Sequence, residues 1–173
     1  MTVARPFRAP RYDLAPDPMT GAARSLEPLG TDDAVRLAQV FAGIDPWVRY
    51  PYETAALAAY LGGPEPDAPR FALTCAGTAV GAVGLRLNWL RGPYLQFLGI
   101  VPEAQGHGLG AACLAWLERE ARAGAERHLW VLVSGFNARA RAFYERHGFA
   151  LAATLDDLVR DGSRELLLRK RLG

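Results

Sequence analysis

The residues best suited to chemistry are Gln105-Gly106-His107-Gly108-Leu109-Gly110, which close a β-rich run and open a helical one. That position sets what they can do. The first N–H groups of a helix have no partner within it and sit at the positive end of its dipole. With glycines removing side-chain bulk, those groups are free to wrap an anion such as a phosphate or diphosphate. Successive donors form a nest, and each charge-assisted hydrogen bond contributes about 1.5–3 kcal/mol, so several suffice without a lysine. The chain has a single lysine, Lys170, close to its last residue, which removes Schiff-base and buried-lysine chemistry. The same glycines also suit a bare tight corner between strand and helix. A P-loop is excluded because GK[ST] is missing. A dinucleotide fingerprint is matched loosely by Gly106, Gly108 and Ala111, with Glu126 further on, but in that fold the acid ends the following strand, whereas Glu126 precedes it.

A second group of residues is Asn137-Ala-Arg-Ala140-Arg-Ala-Phe143-Tyr144-Glu145, followed by Gly148-Phe149. Neighbours on a helix point about 100° apart, so Phe143 and Tyr144 do not enter the same pocket. A phenol with pKa about 10 protonates a departing thiolate, pKa about 8.5, only when placed beside it. Tyr144 is therefore a candidate general acid, with simple packing as its alternative. Asn137 suits a helix cap as well as a ligand contact. His107 reads as a solvent-facing spacer, and His107, His128 and His147 lie on three separate elements without HxxxH or HExxH spacing, so no metal site is expected. Cys75 and Cys113 read as small buried thiols.

The elements that must position these groups follow from the pattern along the chain. Its 173 residues are 50% apolar and 22% charged, values of one compact domain with a proper core. A formal net charge of +2 leaves no broad basic surface for nucleic acid or an anionic membrane. No apolar run reaches the roughly 18 residues of a membrane span. Arg5, Pro6, Arg8, Pro10 and Arg11 interrupt the start where a secretory sequence is apolar, so a cytoplasmic location is expected. Residues 1–24, with four prolines and no periodicity, read as an extension outside the core, and residues 25–173 as the domain. Within it the pattern predicts a strand over 25–29, a helix capped by Thr31 or Asp32 and ended by Gly43, and an alanine-rich helix over 53–61. Strands follow over 71–75, 79–87 and 94–101, then a helix from the glycine loop to about Ala123. A buried strand over 128–134, a helix over 137–147 and a hairpin of 149–155 with 165–171 complete the domain. The order describes a mixed α/β sheet.

The two motifs together resemble the GCN5-related N-acetyltransferases (GNAT). Gln105-x-x-Gly108-x-Gly110, with its Val-Pro-Glu lead-in, is similar to the family's acyl-CoA loop, and Asn137-x-x-Ala140…Tyr144…Gly148-Phe149 is similar to a second family segment one strand later. The resemblance covers roughly residues 25–172. It implies the GNAT acyl-CoA N-acyltransferase fold: a central, mostly antiparallel sheet with one parallel strand pair that splays apart, flanked by helices. It also implies acetyl-CoA in the resulting V as acyl donor, with no metal. The amides of Gln105, Gly106, His107, Gly108, Leu109 and Gly110 would bind its pyrophosphate. Backbone groups of Leu98, Gly99, Ile100 and Val101 would pair with its pantetheine arm, with Asn137 on the other side and Tyr144 near the thioester sulfur. The implied activity is N-acetyl transfer to a primary amine of a small molecule or peptide by direct attack, with a backbone N–H near Ile100 stabilising the oxyanion. Trp47, Tyr50, Tyr52, Glu53 and Trp89 would line the acceptor entrance, though such aromatics equally suit a homodimer partner. One departure stands out. The strand before the loop, Tyr94-Leu-Gln-Phe-Leu-Gly-Ile-Val101, has no carboxylate where many members carry a glutamate base. That leaves the base unassigned, with Glu53 acting through water as one option. It also keeps a non-catalytic acyl-CoA-binding or sensory module as the rival reading.

Overall fold

The computed structural model describes residues 5–173. Eight strands, β1 (Tyr12–Leu14), β2 (Arg24–Pro28), β3 (Arg70–Cys75), β4 (Thr78–Trp89), β5 (Gly92–Ile100), β6 (His128–Ser134), β7 (Ala150–Asp156) and β8 (Arg164–Arg171), form one sheet in the order β1-β2-β3-β4-β5-β6-β8-β7. Every neighbouring pair is antiparallel except β5 and β6. Helices α1 (Thr31–Ala42), α2 (Thr54–Gly62), α3 (Leu109–Ala123) and α4 (Ala138–Arg146) flank it. This is the mixed architecture the sequence pattern and the resemblance imply.

Local chemistry explains the elements. The β3–β4 hairpin turns on Ala76 and Gly77, both at positive φ (50° and 79°), the geometry that matches the twist of the paired strands. Helix α1 buries Ala34, Leu37, Ala38 and Phe41 at helical spacing. It starts on Gly30 without a side-chain cap. The expected Thr31 and Asp32 lie inside its first turn, where Asp32 and Asp33 favour the positive end of the dipole. Helix α3 buries Leu109, Cys113, Trp116, Leu117 and Ala121, the face its periodicity predicts. Cys113 is fully buried and Cys75 half-buried.

Because side chains alternate along a strand, the sheet serves two apolar clusters. Phe71, Leu73 and Val83 belong to the one under α3, and Ala72 and Ala82 to the one under α1 and α2. Trp116 centres the first cluster, with the rings of Phe7, Tyr12 and Phe71 at centroid distances of 5.6, 5.3 and 5.3 Å.

Those contacts correct the reading of residues 1–24. Residues 1–4 lie outside the described part. From there on, Phe7, Tyr12 and Leu14 are buried in the main core, β1 extends the sheet, and Arg24 begins β2. A three-residue edge strand is too short to show a period, and the prolines beside it mask the signal.

Candidate active site

The parallel pair opens where the loop needs it to. Strands β5 and β6 are in register only at Tyr94↔Trp130 and Leu95↔Val131. Beyond these positions they part, and a cavity of about 280 Å³ lies between them. Its walls include Leu98 on β5, Val133 and Ser134 on β6, and Asn137, Ala140 and Tyr144 at and on α4. The pairing of β4 with β5 decides which backbone groups face the gap. Val101 donates its N–H to the Val80 carbonyl, and alternation along an antiparallel ladder then turns Gly99 toward β4 and Leu98 and Ile100 toward β6. Of the four backbone positions expected to meet the pantetheine arm, Leu98 and Ile100 are therefore aimed into the V, and Gly99 and Val101 are not. Gly99 has another role: a Cβ there would stand 2.8 Å from Phe41 Cζ, so the glycine lets α1 close on the sheet.

The glycine loop sits at the head of α3. Gly106 and Gly108 take left-handed φ of 81° and 78°, and Gly108 is the N-cap. A Cβ on either would meet nothing within 4 Å, so the space over the loop is open to a ligand. The loop is held from beneath. Arg24, 3% exposed, donates from Nη2 to the His107 carbonyl at 2.6 Å and forms an ion pair with Asp17. Asp17 in turn accepts the N–H groups of Met19 and Thr20, which together with Arg24 hold it below the usual carboxylate range. Gln105 Nε2 donates to the Ile100 carbonyl at 2.9 Å, tying the loop to the end of β5. The His107 side chain is half exposed, in keeping with a spacer, and Leu109 places its side chain in the core. Gly110 makes room for Phe143, whose Cζ would lie 3.0 Å from an added Cβ.

With Phe143 packed there, Tyr144 faces the cavity. It is buried, its hydroxyl has no hydrogen-bond partner among the described residues, and burial pushes its pKa well up, with Cys113 and Tyr94 adding to the shift. Asn137 caps α4 by accepting the Ala140 N–H at 3.0 Å and also borders the cavity. Trp47, Tyr50 and Tyr52 line the far wall, Trp47 stacked on Phe97 at 4.7 Å. Glu53 and Trp89 do not line it. Glu53 is exposed at the head of α2, and Trp89 stacks at 4.8 Å on Tyr94, which does border the cavity.

Sequence reasoning missed Glu165, which is 2% exposed and lines the same cavity. It lies opposite Ser134 in the β6–β8 ladder, and the Tyr50 hydroxyl donates to its Oε1 at 2.7 Å. Tyr50 also bonds Ser134 Oγ. One phenolic proton serves one acceptor, so Ser134 donates to Tyr50 and Tyr50 to Glu165. Glu165 stands on the opposite face of β8 from the core residues Leu166 and Leu168, so no apolar pattern marks it, and nothing in the sequence joins residues 50 and 165. A larger concavity, about 720 Å³, is walled by Arg91, Arg127, His128, Arg169 and Arg171 at the start of β6. It lies at the opposite end of the strands from the glycine loop and holds none of these groups. No group of His, Cys, Asp and Glu among the described residues is arranged to hold a metal ion.

A splayed parallel pair with an open amide loop at one mouth defines an acyltransferase fold. The model of the acetyltransferase (GNAT) family matches residues 34–149, and the chain belongs to that family, whose members transfer acyl groups from acetyl-CoA. Among solved structures, a GNAT-family protein from Desulfovibrio desulfuricans is 23% identical, with TM-score 0.71 over 88% of this chain and 99% of that one. The ribosomal-protein-S18-alanine N-acetyltransferase from Escherichia coli is 21% identical, with TM-score 0.69 over 87% and 94% of the two chains. A Bacillus anthracis protein described as a streptothricin acetyltransferase, in complex with acetyl coenzyme A, is 18% identical, with TM-score 0.57 over 65% and 66%. At these identities the likeness shows the fold. Among curated proteins, none matches the chain.

Proposed function

We propose that the protein transfers the acetyl group of acetyl-CoA to a primary amine of a small molecule or peptide by direct attack, without a covalent enzyme intermediate. The observation that supports this best is the coincidence of two openings: the gap between β5 and β6, and the uncovered amides of the Gly106–Gly108 turn at its mouth. The loop amides hold the diphosphate as a nest of fixed dipoles. The Leu98 backbone groups pair with the pantetheine arm as an added strand would, and the N–H of Ile100, whose carbonyl Gln105 holds, is left to meet the developing oxyanion. Asn137, its Oδ1 engaged in the cap, offers its amide N–H groups to the other side of the arm. Tyr144 borders the cavity with its hydroxyl unpartnered among the described residues, and burial keeps that hydroxyl protonated, so it can donate to a leaving thiolate placed beside it.

The rival reading, a binding module without chemistry, drew on the missing carboxylate in the strand before the loop. Glu165 at the cavity wall offers a carboxylate from another strand, which supports the catalytic reading. The test is calorimetric titration with acetyl-CoA followed by transfer assays over a panel of amines. Micromolar binding and release of CoA dependent on an amine are expected. No binding up to millimolar acetyl-CoA overturns the proposal.

A further inference from the structure

Glu165 is in an electrostatic position that the fold alone does not explain. It is 2% exposed, and no lysine, arginine or histidine stands within 4.0 Å of it among the described residues, although twelve such pairs occur elsewhere. Arg160, the cation over the Tyr50 ring at 5.6 Å, does not pair with it. A carboxylate has about four acceptor sites, and the protein's side chains fill one, through Tyr50. A buried charge without an opposite charge is costly and is normally paired. Here the side that lacks a partner is the cavity.

We propose that Glu165 is the seat and proton acceptor for the acceptor amine, and that the acceptor is consequently an alkylammonium cation rather than a neutral arylamine. The inference rests on the acetyl-transfer reading above. Around the carboxylate, Trp47, Tyr50, Tyr52 and Tyr94 supply aromatic faces, which attract a cation. The cavity of about 280 Å³ is small for a ligand site and also takes the thioester arm, so only the amine-bearing end of the acceptor enters and the rest stays outside. The Ser134–Tyr50–Glu165 chain fixes the carboxylate. Burial, with help from the carboxylate charge, pushes Tyr50 up to about 12, so the phenol stays a donor and does not compete for the proton.

The proton count closes. Glu165 takes one proton from R–NH3+, and the freed nitrogen lone pair forms the C–N bond at the acetyl carbonyl. As the C–S bond breaks, the sulfur leaves with the electron pair and is protonated through Tyr144, which is restored by the second proton of the attacking nitrogen. Glu165 then returns its proton to solvent. The net products are the amide, CoA thiol and one proton.

The experiment compares wild type, Glu165→Gln and Tyr50→Phe with an alkylamine and an arylamine, alongside calorimetric acetyl-CoA affinity. For Glu165→Gln, kcat/KM for the alkylamine should fall by at least about 100-fold, with acetyl-CoA affinity unchanged. The loss should shrink as pH approaches the amine's own pKa, while arylamine turnover changes little. Tyr50→Phe should show the same pattern more weakly, and it stands as the test if Glu165→Gln does not fold. Equal losses for both amines, unchanged alkylamine kinetics, or a preference of wild type for arylamines overturns the inference while leaving acetyl transfer standing. Failure of wild type to bind acetyl-CoA overturns the underlying reading, and this inference with it.

Discussion

The Tyr50 hydroxyl and the Glu165 carboxylate, 115 positions apart in the chain, meet at 2.7 Å in the cavity wall. One comes from the irregular segment between α1 and α2, the other from the strand that closes the sheet. The contact places an acid from the last hairpin beside a gap that the central strands create. A site of this kind is assembled by topology, and under the proposed reaction its parts have different owners: α3 and its loop for the donor, α4 for the leaving group, and the two ends of the domain for the acceptor.

Tyr144→Phe should lower turnover by about 10- to 100-fold and leave acetyl-CoA affinity within a factor of two or so. Its hydroxyl bonds no group among the described residues, so the melting temperature should also hold. Steady-state kinetics, calorimetry and thermal unfolding read the three quantities. Unchanged turnover would return the tyrosine to a packing role.

Gly108→Ala and Gly77→Ala impose the same backbone problem, φ of 78° and 79° with open space around the new methyl. Each should cost about 1–2 kcal/mol of stability, the price of a left-handed non-glycine residue. Only the first should also weaken acetyl-CoA binding, because only there do the re-aimed N–H groups face the ligand. Urea unfolding and calorimetry on both variants check the contrast.

Arg24→Ala should weaken acetyl-CoA binding by about tenfold, the scale of one hydrogen bond to a charged group, by releasing the His107 carbonyl. It also strands Asp17, so stability should fall. Arg24→Lys should recover part of the stability but not the loop geometry, since an ammonium lacks the guanidinium fork. The Asp17 pKa lies below 3.8 in the native state, so its contribution is present above that pH and is lost as pH falls through the lowered value. Asp17→Asn should therefore flatten the acid limb of a stability–pH curve.

All six tyrosines titrate above the ordinary 10.0 in the native state, Tyr50, Tyr60 and Tyr94 at about 12, chiefly through burial. Cys113 is raised from 9.0 to about 12 by the same cause. Raised native values stabilise the fold fully below pH 9 and progressively less as pH climbs toward 12. The urea midpoint should drop between pH 9 and 11, and tyrosinate absorbance should appear together with unfolding. An early, independent rise at the ordinary phenol pKa would contradict this.

Much of the design was legible in residue order. The period change at Arg70, the turn residues and the apolar face of α3 fix the sheet and its helices, and the glycine loop with the Tyr144 helix marks the side proposed for the donor. Four things were not legible. Tyr12–Leu14 is too short for a pattern. Gly99 looks like a backbone contact in sequence, yet its close approach to Phe41 exists only once α1 has packed. Glu165 needs its partners from 115 residues away, and Arg24 meets the loop across 83. Local propensity is silent at such separations, because those contacts follow from the completed strand order.

The two-residue seam between β5 and β6 has one more consequence. Between β1–β5 and β6–β8 the strands pair only along this seam, while α3 and the apolar cluster beneath it span both halves. A thioester arm lying along Leu98 and Ile100 would act as mortar between them. Ligand and fold are thermodynamically linked in such a design, so donor binding should raise the protein's resistance to unfolding.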